Sequence, residues 1–157
     1  MAAWRIDFAK FSKEESFSGN GAAIGGGRWN HPETRMIYAA DTLALAALEK
    51  FIHLGDEGRA LRLVCYRIDI PANIRIEELK PREMPRDWKV VPAPRSTMDI
   101  GTRWVRNARS SILKLPSVAI ETESNYLLNP LHPDFKRLAI SSAEPFEFDA
   151  RMWKNRT

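Results

Sequence analysis

Residues 61–70 read LRLVCYRIDI, and this run constrains the fold more than any other stretch. Val64, Tyr66, Ile68 and Ile70 fall on alternate positions, the period of a strand with one buried face. Pro71 ends the run because it removes a ladder donor. RMIYAA (35–40), SVAIET (117–122), KRLAISS (136–142) and FEFD (146–149) are further strand candidates. Asp41 and Thr42 are good helix N-caps, so Leu43 to Leu54 is predicted helical, with Gly55 just beyond its end. Thr97 to Ala108 is a second helix candidate, although Gly101 counts against it. Prolines at 71, 81, 85, 92 and 94 make residues 72–95 an irregular excursion over the surface. Strands outnumber helices and connections vary in length, which predicts one mixed α+β domain over residues 1–157 with a strand-rich core.

A chain of 157 residues suits one domain and needs no disulfide or metal staple. The one cysteine, Cys65, excludes a disulfide framework and reads as a small core residue. The N-terminus, MAAWRIDFAKF, carries Arg5, Asp7 and Lys10 where a signal peptide would be apolar. No stretch approaches the roughly 20 apolar residues of a membrane span. The expectation is a soluble, cytoplasmic protein. The net charge of +4 is a mild excess with no long run of like charges. It suits an anionic small molecule, an acidic protein or a nucleic acid equally.

Residues 25–30 read GGGRWN. Gly19, Gly21 and Gly25 approach a dinucleotide fingerprint, but Pro32 forbids the helix that must follow one, and no phosphate-loop Lys-Ser or Lys-Thr appears. Two readings stay open. The glycines form a flexible surface loop, or they let a ligand come close and aim Arg28 at a phosphate or pyrophosphate. Glu49 falls between Leu45 and His53 on the helix, where the apolar face meets a narrow polar arc with Lys50 and His53. Periodicity alone favours a solvated glutamate with an i,i+4 histidine neighbour, and a cleft-lining carboxylate is the alternative. Taken alone, Ser117 in LPSVAIE is a strand-start serine bonded to its own backbone. His132 lies between prolines in a turn, and His31, His53 and His132 have no metal-site spacing.

GGRWNHPETRMIYAADTLALAALEKFIHL and LPSVAIETESNYLLNPLHPDF, with WRI near the start and FDARMW near the end, together resemble the RES-domain family of bacterial Xre–RES toxin–antitoxin pairs. The resemblance covers nearly the whole chain and is least distinctive over residues 72–95. It implies a fold similar to the ADP-ribosyltransferase type and toxicity by breakdown of NAD+, with NAD+ as substrate and neither cofactor nor metal. By position, Arg28, Glu49 and Ser117 are the defining trio. Tyr38 matches the aromatic between the first two, and His53 and Asn125 are carried over as NAD-binding positions. In those roles Arg28 grips the pyrophosphate, with the glycines admitting it to the backbone, and Tyr38 stacks on nicotinamide or ribose. Glu49 answers oxocarbenium-like charge, and Ser117 fixes Glu49 or the ribose. Hydrolysis, phosphorolysis and transfer of ADP-ribose to a protein all remain compatible. The implied partner is an Xre-type helix-turn-helix antitoxin that also supplies DNA binding, with a toxin homodimer in the complex. From a different class, the pI of 9.4 and Trp4, Trp29, Trp88, Trp104 and Trp153 suit an RNA-binding or RNA-cleaving toxin. A non-catalytic NAD-binding module is a third reading.

Overall fold

The structure, a computed structural model, describes residues 1–154. Its strands, in chain order, are β1 (Ala2–Phe8), β2 (Ile37–Ala40), β3 (Leu63–Asp69), β4 (Ile76–Glu78), β5 (Ile112–Pro116), β6 (Ser124–Leu128), β7 (Ala139–Ile140) and β8 (Glu144–Phe146). They form one sheet in the order β4-β5-β6-β2-β1-β3-β7, with β8 also against β3. Only β4 and β5 run parallel. β1 pairs with β3 from Ala2↔Asp69 to Phe8↔Leu63, yet meets β2 only at Trp4↔Ala40. The sheet therefore splits between β1 and β2. The expected mixed α+β architecture is present.

Among the described residues, four α-helices pack around the sheet: α1 (Lys13–Ser16), α2 (Asn20–Gly25), α3 (Leu43–His53) and α4 (Arg95–Asn107). The Thr42 hydroxyl accepts the Leu45 N–H at 3.0 Å and starts α3. The helix buries Leu45 and Ala46 against Ile6, Ala40, Leu63 and Cys65. Burying a leucine such as Leu45 contributes about 1.5–3 kcal/mol. Gly101 does not break α4. A Cβ there would lie 1.8 Å from the Trp29 carbonyl oxygen, so glycine lets the helix rest on the backbone of the 27–30 turn. No helix among the described residues is long and apolar enough to cross a membrane.

One face of the sheet carries Ala3, Ile37, Ala39, Tyr66, Ile68, Tyr126 and Leu128. The alternation read at 61–70 is thus real: Tyr66, Ile68 and Ile70 join this core with Val64 packed on it. The other side of the split sheet holds two separate clusters. One surrounds α3 and includes the buried Cys65. The other gathers Trp29, Met36, Trp88, Trp104, Leu113, Leu115 and Leu127.

Several expectations need correction. Residues 117–122 are not a strand; β5 ends at Pro116, and the Ser117 hydroxyl takes the Ala119 and Ile120 N–H groups into a turn. The glycine region is not a flexible loop throughout, since Asn20–Gly25 is α2. The 72–95 excursion includes β4, which adds to the sheet edge beside β5. Near the end, the strands are the shorter Ala139–Ile140 and Glu144–Phe146.

Candidate active site

Glu49 projects from α3 towards the end of β5 and the start of β6. The Ser117 hydroxyl donates to Glu49 Oε1 at 2.7 Å, and Asn125 Nδ2 donates to the same oxygen at 2.8 Å. Ser117 is completely buried. Its oxygen already accepts the Ala119 N–H at 3.0 Å and the Ile120 N–H at 3.3 Å. The turn thus occupies its lone pairs and leaves the single hydroxyl hydrogen for Glu49. Asn125 is placed by the β5–β6 ladder, opposite Leu115. At the other end of α3, the Asp41 N–H donates to the Ser124 carbonyl at 3.0 Å, which fastens the helix start to β6. Both hydrogen bonds fall on Oε1. Glu49 is half-buried, and its Oε2 has no hydrogen-bond partner among the described residues.

Tyr126 and Leu128 face one core, so Asn125 and Leu127 face the other way, as do Tyr38 and Ala40 on β2. Tyr38 pairs with Leu127 and Ala40 with Asn125. Tyr38 is therefore diagonal to Asn125 on one face, a relation that spans about 7–8 Å in antiparallel sheets.

The Tyr38 hydroxyl donates to Asn30 Oδ1 at 2.7 Å and accepts the Trp29 N–H at 3.1 Å. Asn30 is fully buried, and its Nδ2 serves the carbonyls of Ala22, His31 and Thr34 at 2.8–3.1 Å. Burial pushes the Tyr38 phenol well above its ordinary range, against the opposing pull of the Trp29 N–H and the Arg28 charge. Tyr38 is a neutral donor at physiological pH. This network explains Gly26 and Gly27, while a Cβ on Gly25 would meet nothing within 4 Å. A Cβ on Gly27 would sit 2.6 Å from the Tyr38 hydroxyl, and Gly26 turns the chain at φ +69. What comes close to the glycine backbone is the protein's own tyrosine.

Arg28 Nη1 donates to the Trp88 carbonyl at 2.8 Å and to the Val90 carbonyl at 2.9 Å. Both hydrogens of that nitrogen are used, while Nη2 and Nε have no partner among the described residues. Trp88 is buried beside Trp29 and Trp104. Lys89 forms an ion pair with Glu121 in the turn that follows Ser117. Residues 88–90 are thus a strap from the Arg28 loop to the Ser117 turn.

Of the residues singled out in the sequence, Glu49, Ser117 and Asn125 meet directly, and Tyr38 and Arg28 lie together on the neighbouring strand and loop. His53 does not join them. It is exposed on the last turn of α3, without a hydrogen-bond or ion-pair partner among the described residues. No group of three or more His, Cys, Asp or Glu among the described residues could hold a metal. His132 is the turn residue expected, its Nδ1 accepting the Asp134 N–H at 3.1 Å. Asn30 and the strap carbonyls have no counterpart in the sequence reading. Asn30 stands inside the quoted GGGRWN, but nothing in its neighbours marks it as the loop's organiser.

The site therefore offers a carboxylate fixed through one oxygen and open at the other, and a guanidinium fixed through one nitrogen and open along the rest of its fork. Such a pair can take a ligand that is anionic at one end and hydroxylated or cationic at the other.

The RES domain pattern matches residues 2–149. Toxin Res of Yersinia enterocolitica is 40% identical over 155 residues, covering 97% of this chain and 99% of that one. The Prs ADP-ribosylating toxin of Sphingobium sp. (strain YBL2) is 36% identical over 152 residues, covering 95% and 94% of the two chains. The fold is similar to one in the crystal structure of the M. tuberculosis MbcT–MbcA toxin–antitoxin complex. There the TM-score is 0.72 at 14% identity, over 98% of this chain and 86% of that chain.

Proposed function

The chain belongs to the RES domain family, and from that premise we propose that it is the toxin of a toxin–antitoxin pair that cleaves the nicotinamide–ribose bond of NAD+. The observation that carries the reading is Glu49. Its Oε1 is held by Ser117 and Asn125 while Oε2 stays available.

Breaking the bond sends both electrons to the nicotinamide nitrogen and leaves positive charge shared over the ribose C1′ and ring oxygen. A preorganised carboxylate answers that charge as it develops and accepts the ribose hydroxyls. Ser117 and Asn125 are positioning residues, since they act through Glu49. Arg28 takes the pyrophosphate with the donors that the strap leaves free. The Tyr38 ring is half-buried, and the part left exposed offers a stacking surface. Its hydroxyl is committed to the loop and so holds Arg28 in place rather than contacting substrate. His53 stays at the rim.

Water, phosphate or a protein side chain completes the reaction as acceptor. Transfer to a protein is the second reading, favoured by the name of the Sphingobium relative. The RNA reading loses its aromatic surface, because Trp29, Trp88 and Trp104 are buried. The partner is an antitoxin of the Xre type that occludes the cleft near Arg28 and carries the DNA binding, within a complex built on a toxin homodimer.

The deciding experiment incubates antitoxin-free protein with NAD+ and EDTA, with and without phosphate and with an acceptor lysate, and follows the products by chromatography. Nicotinamide release without a metal supports the reading. NAD+ that survives every buffer refutes it.

A further inference from the structure

Beside the split in the sheet, where β1 touches β2 only at Trp4↔Ala40, a buried aspartate meets two half-buried basic side chains. Arg5 Nη1 donates to the Tyr38 carbonyl at 3.0 Å, and Arg5 Nη2 donates to Asp7 Oδ2 at 2.9 Å. Asp7 is 7% exposed, and its Oδ1 accepts the Phe8 N–H at 2.9 Å. That oxygen also lies 3.8 Å from Lys50 Nζ. Lys50 follows Glu49 in α3. A continuous polar path thus runs from the strand of Tyr38, through Arg5 and Asp7 on β1, to the helix of Glu49.

This is a costly way to fill a seam. Taking Asp7 and most of Arg5 out of water carries a desolvation penalty, and apolar side chains of similar volume often give equal or greater stability. The buried Arg5 Nε has no hydrogen-bond partner and adds to the cost. The adjoining cluster of Ile6, Ala40, Leu45 and Cys65 shows the apolar solution the same region uses elsewhere. What charges supply and hydrocarbons do not is direction. A planar guanidinium holds a carbonyl and a carboxylate at fixed angles.

We infer that Arg5 and Asp7 are positioning residues of this site: where backbone pairing between β1 and β2 stops, their ion pair sets the spacing between the Tyr38–Arg28 side and Glu49. Neither residue touches substrate. The inference rests on Glu49 being the reacting carboxylate.

The test replaces the pair by apolar residues, Arg5→Met with Asp7→Leu in one protein. Thermal stability, kcat and KM for NAD+, and growth arrest on induced expression are measured against wild type. The expected outcome is an equal or higher melting temperature, a fall in kcat of about tenfold or more, KM within about threefold, and weaker growth arrest. A stable double variant with wild-type kcat and wild-type growth arrest overturns the inference. If the double variant does not fold, Arg5→Lys decides. It keeps the charge but cannot hold two fixed directions, so a similar fall in kcat is expected, and wild-type kcat is the overturning result. If the wild-type protein itself leaves NAD+ intact, the cleavage reading fails separately. Growth arrest by the variants against wild type then still decides whether the seam positions the site.

Discussion

Ser117 and Glu49 stand 68 positions apart in the chain and share one hydrogen bond of 2.7 Å, in which the serine has no other place to put its proton. The bond makes the orientation of Glu49 a property of the β5–β6 turn. Ser117→Ala removes the orienting donor and leaves two backbone N–H groups without a partner. A stability loss of about 1–3 kcal/mol is expected, measured by denaturant unfolding, together with a drop in kcat.

Glu49→Gln keeps size and helix propensity, and its amide oxygen can still accept from Ser117 and Asn125. Only the charge is lost. We expect kcat to fall about a hundredfold, on the order of 3 kcal/mol, with KM nearly unchanged, because the charge it answers develops in the transition state. A folded Glu49→Gln protein with wild-type kcat would remove Glu49 from the mechanism.

Arg28→Ala acts on binding instead. It deletes a contact present in ground and transition states alike, so KM rises while kcat changes little. It also frees the Trp88 and Val90 carbonyls. Proteolysis near the strap should therefore quicken in this variant and stay at the wild-type rate in Glu49→Gln.

Gly27→Ala places a methyl 2.6 Å from the Tyr38 hydroxyl. A destabilisation of about 1–3 kcal/mol is expected. Tyr38→Phe removes the oxygen that the methyl meets. In the Tyr38→Phe background the same glycine substitution should therefore cost less, and a double-mutant cycle by thermal melts measures the difference. Strict additivity would mean that the clash is not with that hydroxyl.

Alkaline pH tests the buried phenol. The Tyr38 pKa is raised above the ordinary 10.0, chiefly by burial. Above pH 10 the unfolded chain releases this proton while the folded one keeps it. The folded state then binds more protons, so stability falls as pH rises from about 10 towards the folded value. Tyr38→Phe should flatten that part of the stability curve.

How much of this was legible depended on how local each signal was. The cap at Thr42, the run of α3 and the alternation of β3 are written in adjacent residues, and the structure has them within a residue or two. β6 escaped because Tyr126, Leu127 and Leu128 are all buried, so no period of two marks it. β1 escaped although it lies inside the sheet, since its partners, Ala40 on β2 and Leu63–Asp69 on β3, are distant in the chain. The residues around Glu49 show the same division. Its place at the rim of an apolar helix follows from spacing. That Ser117 and Asn125 converge on it follows only from the β5–β6 register. The glycines left a flexible loop and a close approach equally open; the close approach found at Gly27 is to Tyr38, which is set by how the loop folds over β2.

The strap gives the region before it an unusual freedom. Both carbonyls that hold Arg28 come from Trp88 and Val90, and Trp88 is itself anchored among buried tryptophans. Arg28 takes none of its hydrogen bonds from the proline-rich stretch upstream of Pro85. Relatives can therefore lengthen, shorten or rewrite residues 80–83, exposed between the packed Leu79 and Met84, at little catalytic risk, and divergence among them should collect there. Between Trp88 and Val90, even one inserted residue would shift the carbonyl spacing that a single nitrogen has to meet.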